Sequence, residues 1–124
     1  MLPKFSRGLV VTYPHGQYIA SGRKKLLIKS KPYQMTGEPL LVIERKMAVA
    51  VVVPGKMREI DLAEFRKLRP RHLVSDAERL RWWGRRTKLY AFPVEKVRRL
   101  KKPIPVSYPN GAQVFVTRKN IRVA

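Results

Sequence analysis

The run Met47-Ala48-Val49-Ala50-Val51-Val52-Val53 holds no polar side chain, and Pro54-Gly55 stops it. Valine gives up rotamer freedom in a helix and packs well on a pleated surface, so a run of this composition and length reads as a strand. Because it is apolar at odd and even positions alike, the strand is expected to be covered on both faces.

The rest of the chain supplies short elements to cover it. Leu9-Val10-Val11-Thr12 reads as a strand ended by Pro14 and Gly16, followed by a brief helix over 17–21 that Gly22 breaks. Leu26-Leu27-Ile28 is a strand flanked by Lys24, Lys25, Lys29 and Lys31. Thr36-Gly37-Glu38-Pro39 is a turn into a strand over 40–44, and Arg45-Lys46 marks the next reversal. Asp61-x-x-Glu64 and Ser75-x-x-Glu78 each have capping-box form and open two short helices. Leu62, Phe65 and Leu68 share one face of the first, leaving Arg66, Lys67 and Arg69 towards solvent. Ala77, Leu80 and Trp83 share one face of the second, leaving Arg79 and Arg81 outward. Leu89-Tyr90-Ala91-Phe92 is a strand with a bend at Pro93 and an extension over 94–100, and a further short strand covers 106–108. Pro109-Asn110-Gly111 turns the chain into a closing strand over 113–117, before a basic tail with Arg118, Lys119 and Arg122. Six or seven strands with two or three short helices predict a mixed α/β, β-rich fold, a small partly closed barrel. With 124 residues, no internal repeat and no long linker, residues 1–124 are expected to form a single domain.

Charge narrows the function. Lys and Arg total 28 against 8 Asp and Glu, a net charge of +20. Such a surface repels itself, and a polyanion relieves it; nucleic acid leads over an anionic membrane. No apolar run approaches the ~18 residues of a membrane span, and the start of the chain lacks the basic-then-apolar pattern of a secretory signal. The expected address is cytoplasmic, with no membrane partner. The absence of cysteine excludes disulfides, thiolate metal sites and cysteine nucleophiles. His15 and His72 are the two imidazoles, and no metal-ligand spacing occurs, so neither a metal nor a cofactor is expected. The sequence leaves the oligomeric state open.

The stretch Ser21-Gly22-Arg23-Lys24-Lys25-Leu26-Leu27-Ile28-Lys29-Ser30 resembles the signature of the ASCH family of the PUA-like superfamily, Gly-x-Lys-x-x-Glu-x-Arg. Gly22 and Lys24 match it; Leu27 stands where the pattern has Glu, and Lys29 where it has Arg. Upstream, Tyr13-Pro14-His15 and the short helix fit the family's arrangement. Downstream, Thr36-Gly37-Glu38-Pro39-Leu40-Leu41 looks like its Gly-Glu turn into a strand, and Gln113-Val114-Phe115-Val116 is consistent with its closing strand. The likeness is concentrated in residues 8–53. It implies a PUA-like small β-barrel with two or three short helices and a cleft that contacts RNA. Some members of the superfamily are amidohydrolases acting on acetylated cytidine, with a Thr nucleophile directly after a Lys, and others are ribonucleases. Here Lys25 follows Lys24 and cannot be that nucleophile, so the resemblance implies fold and nucleic-acid contact more than catalysis.

Two groups of residues are candidates for that contact. Gly22 can let a phosphate approach the backbone while Arg23, Lys24, Lys25 and Lys29 supply charge, with Lys24 foremost; the plainer alternative is a helix-ending glycine and a solvated strand. Trp82-Trp83 stands among Arg79, Arg81, Arg85 and Arg86, the interleaving of rings and cations on which unstacked bases are held. Consecutive helical residues do not share a face, so Trp83 is assigned to the core and Trp82 to an exposed platform. Glu44 is the carboxylate nearest the basic strands, and Lys24 with Glu44 is the candidate acid–base pair, a salt bridge being the simpler account. His72 reads as a loop residue and His15 as a turn histidine. The function expected is nucleic-acid binding through a basic cleft, with RNA preferred over DNA on the strength of the resemblance. The alternative is a nuclease or modified-nucleoside amidohydrolase using Lys24, and a third reading is a structural module of a ribonucleoprotein.

Overall fold

A computed structural model of the chain describes residues 2–111 and 114–124. The valine-rich run is strand β4 (Met47–Pro54), paired on one edge with β3 (Leu40–Glu44) and on the other with β6 (Leu89–Ser107). Both of its faces are covered, as its composition requires. Val49, Ala50 and Val52 join Leu9, Leu27, Leu40 and Phe92 in one core, while Ala48 and Val51 join Leu41, Ile43, Leu100 and Val106 in a second.

Among the described residues the sheet is a half-barrel of eight strands. Its order is β2 (Leu26–Lys29), β6, β4, β3, β1 (Arg7–Val11) and β7 (Phe115–Thr117), with β5 (Arg58–Ile60) and β8 (Arg122–Val123) also pairing with β6. Strands β1 and β3 run parallel, and the remaining pairs are antiparallel. Helix α1 (His15–Ala20) links β1 to β2, two residues ahead of the expected start. Helices α2 (Leu62–Lys67), α3 (Arg69–His72) and α4 (Asp76–Trp83) cover a third core of Leu26, Ile28, Ile60, Phe65, Val74, Leu89 and Ala91.

Several expectations are corrected. The segments 89–92 and 94–100 and residues 106–107 of the next merge into one 19-residue strand, β6. Two of its three prolines fall where pairing changes: Pro93 lies at the end of the β2 pairing and its carbonyl accepts from Gly55 N–H (2.7 Å), and Pro103 lies where the register with β4 shifts, while Pro105 pairs with Met47 and its carbonyl accepts from Ala124 N–H (2.9 Å). Strand β5 and helix α3 were not anticipated, and the basic tail contributes β8. Of the closing strand, Phe115–Thr117 pairs with β1; Gln113 lies outside the described residues. Ser75 and Glu78 form a complete capping box, but Asp61 only accepts from Glu64 N–H, without the reciprocal bond. His72 is not a loop residue; it ends α3 and is fully buried.

Helix α4 is rotated from its expected setting. Arg79 is buried, at 6% exposure, while Leu80 is 53% exposed and Ala77 faces solvent. The helix turns the two large rings of Trp82 and Trp83 onto the third core, and they bury more apolar surface than Ala77 and Leu80 would. Arg79, one turn before Trp83, is carried inward with them; its guanidinium carbon lies 6.0 Å from the Phe65 ring centroid and its Nε 3.5 Å from Asp76.

Candidate functional site

A cleft of about 260 Å³ opens between β1, α1, β2 and α4. Its walls are apolar, from Val10, Val11, Ile19, Leu27, Ile28 and Val74, and three rings line it: Trp82, Trp83 and Tyr33. The polar groups that reach it are Thr12, His15, Lys24, Lys29 and Ser30.

Helix α1 places His15, and Glu44 places α1. The buried Glu44 carboxylate accepts from the N–H groups of Gly16 (2.6 Å) and Gln17 (3.3 Å) and from the Gln17 side-chain amide (2.9 Å). A Cβ on Gly16 would fall 2.7 Å from that carboxylate, so only glycine permits the approach. At the other end of α1, Gly22 takes φ +79° with open space around it, a conformation that suits a helix-ending glycine. The chain then turns so that Lys24 N–H bonds the Tyr18 carbonyl (3.0 Å) and the Lys24 side chain enters the protein.

Lys24, 5% exposed, donates from Nζ to the carbonyl of His72 and to Nδ1 of His15, the latter at 3.1 Å. His15 thereby keeps its proton on Nε2 and donates it to Glu78 Oε2 at 2.9 Å. The other Glu78 oxygen accepts from Ser75 N–H (2.9 Å), so the cap of α4 and the orientation of His15 share one carboxylate. His72 is fixed by its own bonds, Nε2 donating to the Phe65 carbonyl (2.6 Å) and Nδ1 accepting from Val74 N–H (2.9 Å).

Burial governs the protonation of this group. It lowers Lys24 to a pKa of about 7, with the nearby charge of Lys29 acting in the same direction and Glu78 against it. Burial lowers Lys29 to about 8. His15 is held below its ordinary value by burial and by Lys24, against Glu78 and Glu44, so its contact with Glu78 is a hydrogen bond of a neutral imidazole. Burial pushes Glu78 up, but hydrogen bonds from Ser75 and His15 outweigh it. Near neutral pH Lys24 therefore exchanges between ammonium and amine beside an apolar, ring-lined space. Among the described residues no group of His, Asp or Glu is arranged to hold a metal.

The structure gathers some expected site residues and separates others. Lys24, Lys29 and Trp82 meet in the cleft, and Trp83, assigned to the core, lines it as well. Arg23 and Lys25 are exposed on the outer side of the turn, where the Arg23 guanidinium lies 4.9 Å from the Tyr18 ring centroid. Arg81, Arg85 and Arg86 are exposed around the end of α4, and Arg79 is inside. Lys24 and Glu44 are not a pair: the carboxylate is committed to α1 and the ammonium to His15 and His72. Sequence reasoning passed over Glu78 and His15 as partners. Glu78 was visible as a capping residue, but the 63 residues between it and His15 hid their contact.

No protein-family model matches the sequence, and no curated protein matches it. Solved structures do. A mutant of the ASCH protein of Zymomonas mobilis superposes with a TM-score of 0.75, covering 94% of this chain and 90% of that one at 12% identity. The ASCH protein of Zymomonas mobilis itself gives 0.69, covering 80% and 72% at 12% identity, and a second mutant gives 0.69, covering 82% and 76%, again at 12%. Likeness at this identity speaks for the backbone: the chain has the ASCH fold, a strand-rich half-barrel with a few short helices.

Proposed function

We propose that this ASCH-fold chain binds RNA, taking one unstacked base into the cleft while exposed cations hold the flanking phosphates. The observation that carries the reading is the cleft itself, a space of about 260 Å³ lined by Trp82, Trp83 and Tyr33 with Lys24 and Lys29 reaching it. That volume falls just below the ~300–1,000 Å³ of sites for drug-sized ligands, so it suits one base or nucleoside rather than an oligonucleotide. Flat rings and apolar walls accept a base face, and a few convergent polar groups read its edge. Arg23, Lys25, Arg81, Arg85 and Arg86, all exposed, supply charge outside it. RNA is favoured over DNA by the ASCH likeness.

A second reading, hydrolysis of a bound nucleotide or modified nucleoside, is favoured by Lys24, whose pKa near 7 and bond to a neutral His15 suit a general base. One experiment addresses both. Wild type, Lys24→Ala and Trp82→Ala are titrated against short RNA and the matching DNA, and the ligand is run on a gel afterwards. Tighter RNA binding that both variants lose, with ligand intact, is the expected result. Cut RNA, absent with Lys24→Ala, establishes the hydrolytic reading instead. Equal weak binding of all three proteins to RNA and DNA rejects the cleft.

A further inference from the structure

We infer that Tyr13 and Arg45 form a second subsite, a stacking platform for the nucleotide next to the one held in the cleft; the inference rests on the reading of the cleft as a base pocket. Tyr13 is 49% exposed, and the guanidinium carbon of Arg45 sits 3.5 Å from its centroid. Arg45 is itself exposed, so the stack faces solvent and seals no core.

The backbone beneath it is costly. Arg45 and Lys46 join β3 to β4 with φ of +54° and +60°, the left-handed region in which a two-residue hairpin favours Asn-Gly or Gly-Gly. Long L side chains are strained there, and strain of this kind collects where side chains have a task. A pair that only closed the hairpin would be replaced by glycine without loss.

The platform is also fixed with respect to the cleft. Arg45 follows Glu44, whose buried carboxylate grips Gly16 and Gln17 at the start of α1. Tyr13 lies between Thr12 and His15, which both line the cleft. A single strand leaving the pocket past Thr12 would meet this ring next. The ligand chemistry is that of single-stranded RNA: a base stacks on the ring or on the guanidinium of the pair.

The test compares a nucleoside monophosphate, which reaches only the cleft, with a hexanucleotide of single-stranded RNA. Arg45→Gly and Tyr13→Leu should weaken the hexanucleotide roughly 5- to 160-fold, the range of one lost base stack, and leave the monophosphate dissociation constant as in wild type. Tyr13→Phe, which keeps the ring, should retain hexanucleotide affinity. Arg45→Gly relieves the positive φ, so its melting temperature should not fall, which separates lost contact from lost fold. If both variants bind the hexanucleotide as tightly as wild type, or weaken both ligands equally, the platform is overturned and the cleft reading stands. If wild type binds neither ligand, the cleft reading fails and the platform with it.

Discussion

Lys24 is the residue whose environment departs furthest from its ordinary one. In the unfolded chain it keeps its proton to about pH 10.5 and in the folded protein only to about 7. Between those values the unfolded state binds more protons, so stability rises with pH across that window; below about 7 both states hold the proton and the gain is absent. A difference of this size corresponds to roughly 5 kcal/mol at most. Urea melts at about pH 6.5 and about pH 9.5 should therefore show wild type gaining stability with pH and Lys24→Met gaining much less. Lys29, lowered by burial to about 8, supplies a remaining slope in the variant. An unchanged slope would mean that Lys24 titrates normally. Lys24 was legible in the sequence because Gly22-x-Lys24 is a local pattern. The fate of Glu44 was not, since its partners are the backbone N–H groups of Gly16 and Gln17, which no pattern of side-chain types displays.

At the scale of elements, what the sequence revealed is what is decided locally. The cap of α4 needs only Ser75 and Glu78, three residues apart, and it is present in full. Strand β5 and helix α3 escaped notice because they are too short to stand alone and form on their neighbours, β5 by pairing with β6 and α3 by lying against β2. The rotation of α4 was likewise set from outside, by the core that receives Trp82 and Trp83. A comparison of two caps separates local stability from the site. Ser75→Ala and Asp61→Ala should each lower stability by about 1 kcal/mol in chemical denaturation. Glu78 accepts from Ser75 N–H and from His15 at once, and the Ser75 hydroxyl accepts from the backbone N–H of Glu78 itself, so its loss frees the turn that carries a carboxylate orienting the cleft, whereas Asp61 caps α2. Ser75→Ala should weaken nucleoside monophosphate binding and Asp61→Ala should not. Equal effects on binding would show that Glu78 orients His15 without help from its cap.

Across the whole molecule, the distribution of the eight acids decides how the +20 charge behaves. Seven are committed: Glu38 to Arg7, Glu44 to the start of α1, Glu59 to Lys88, Asp61 to the cap of α2, Glu64 to Arg58, Asp76 to Arg66 and Arg79, and Glu78 to Ser75 and His15. That leaves the exposed cations Lys96, Arg98, Arg99, Lys101 and Lys102 of β6 without an ion-pair partner among the described residues. Their mutual repulsion is a cost to the fold, and mobile ions reduce it, because the screening length shrinks from about 10 Å at 0.1 M to about 3 Å at 1 M. Salt should thus raise the melting temperature. The same salt should weaken RNA, since each phosphate neutralised on a single strand releases counterions; about five contacts give a slope of log K on log salt near −3 to −4. One salt series measured for both quantities should therefore give slopes of opposite sign. A rising melting temperature with flat binding would mean that the charge repels itself without serving RNA, leaving the cleft as a nucleoside site with no backbone contact. A falling melting temperature would mean that the surface cations are held by pairings that salt disrupts, and the free charge on which the RNA reading depends would be absent.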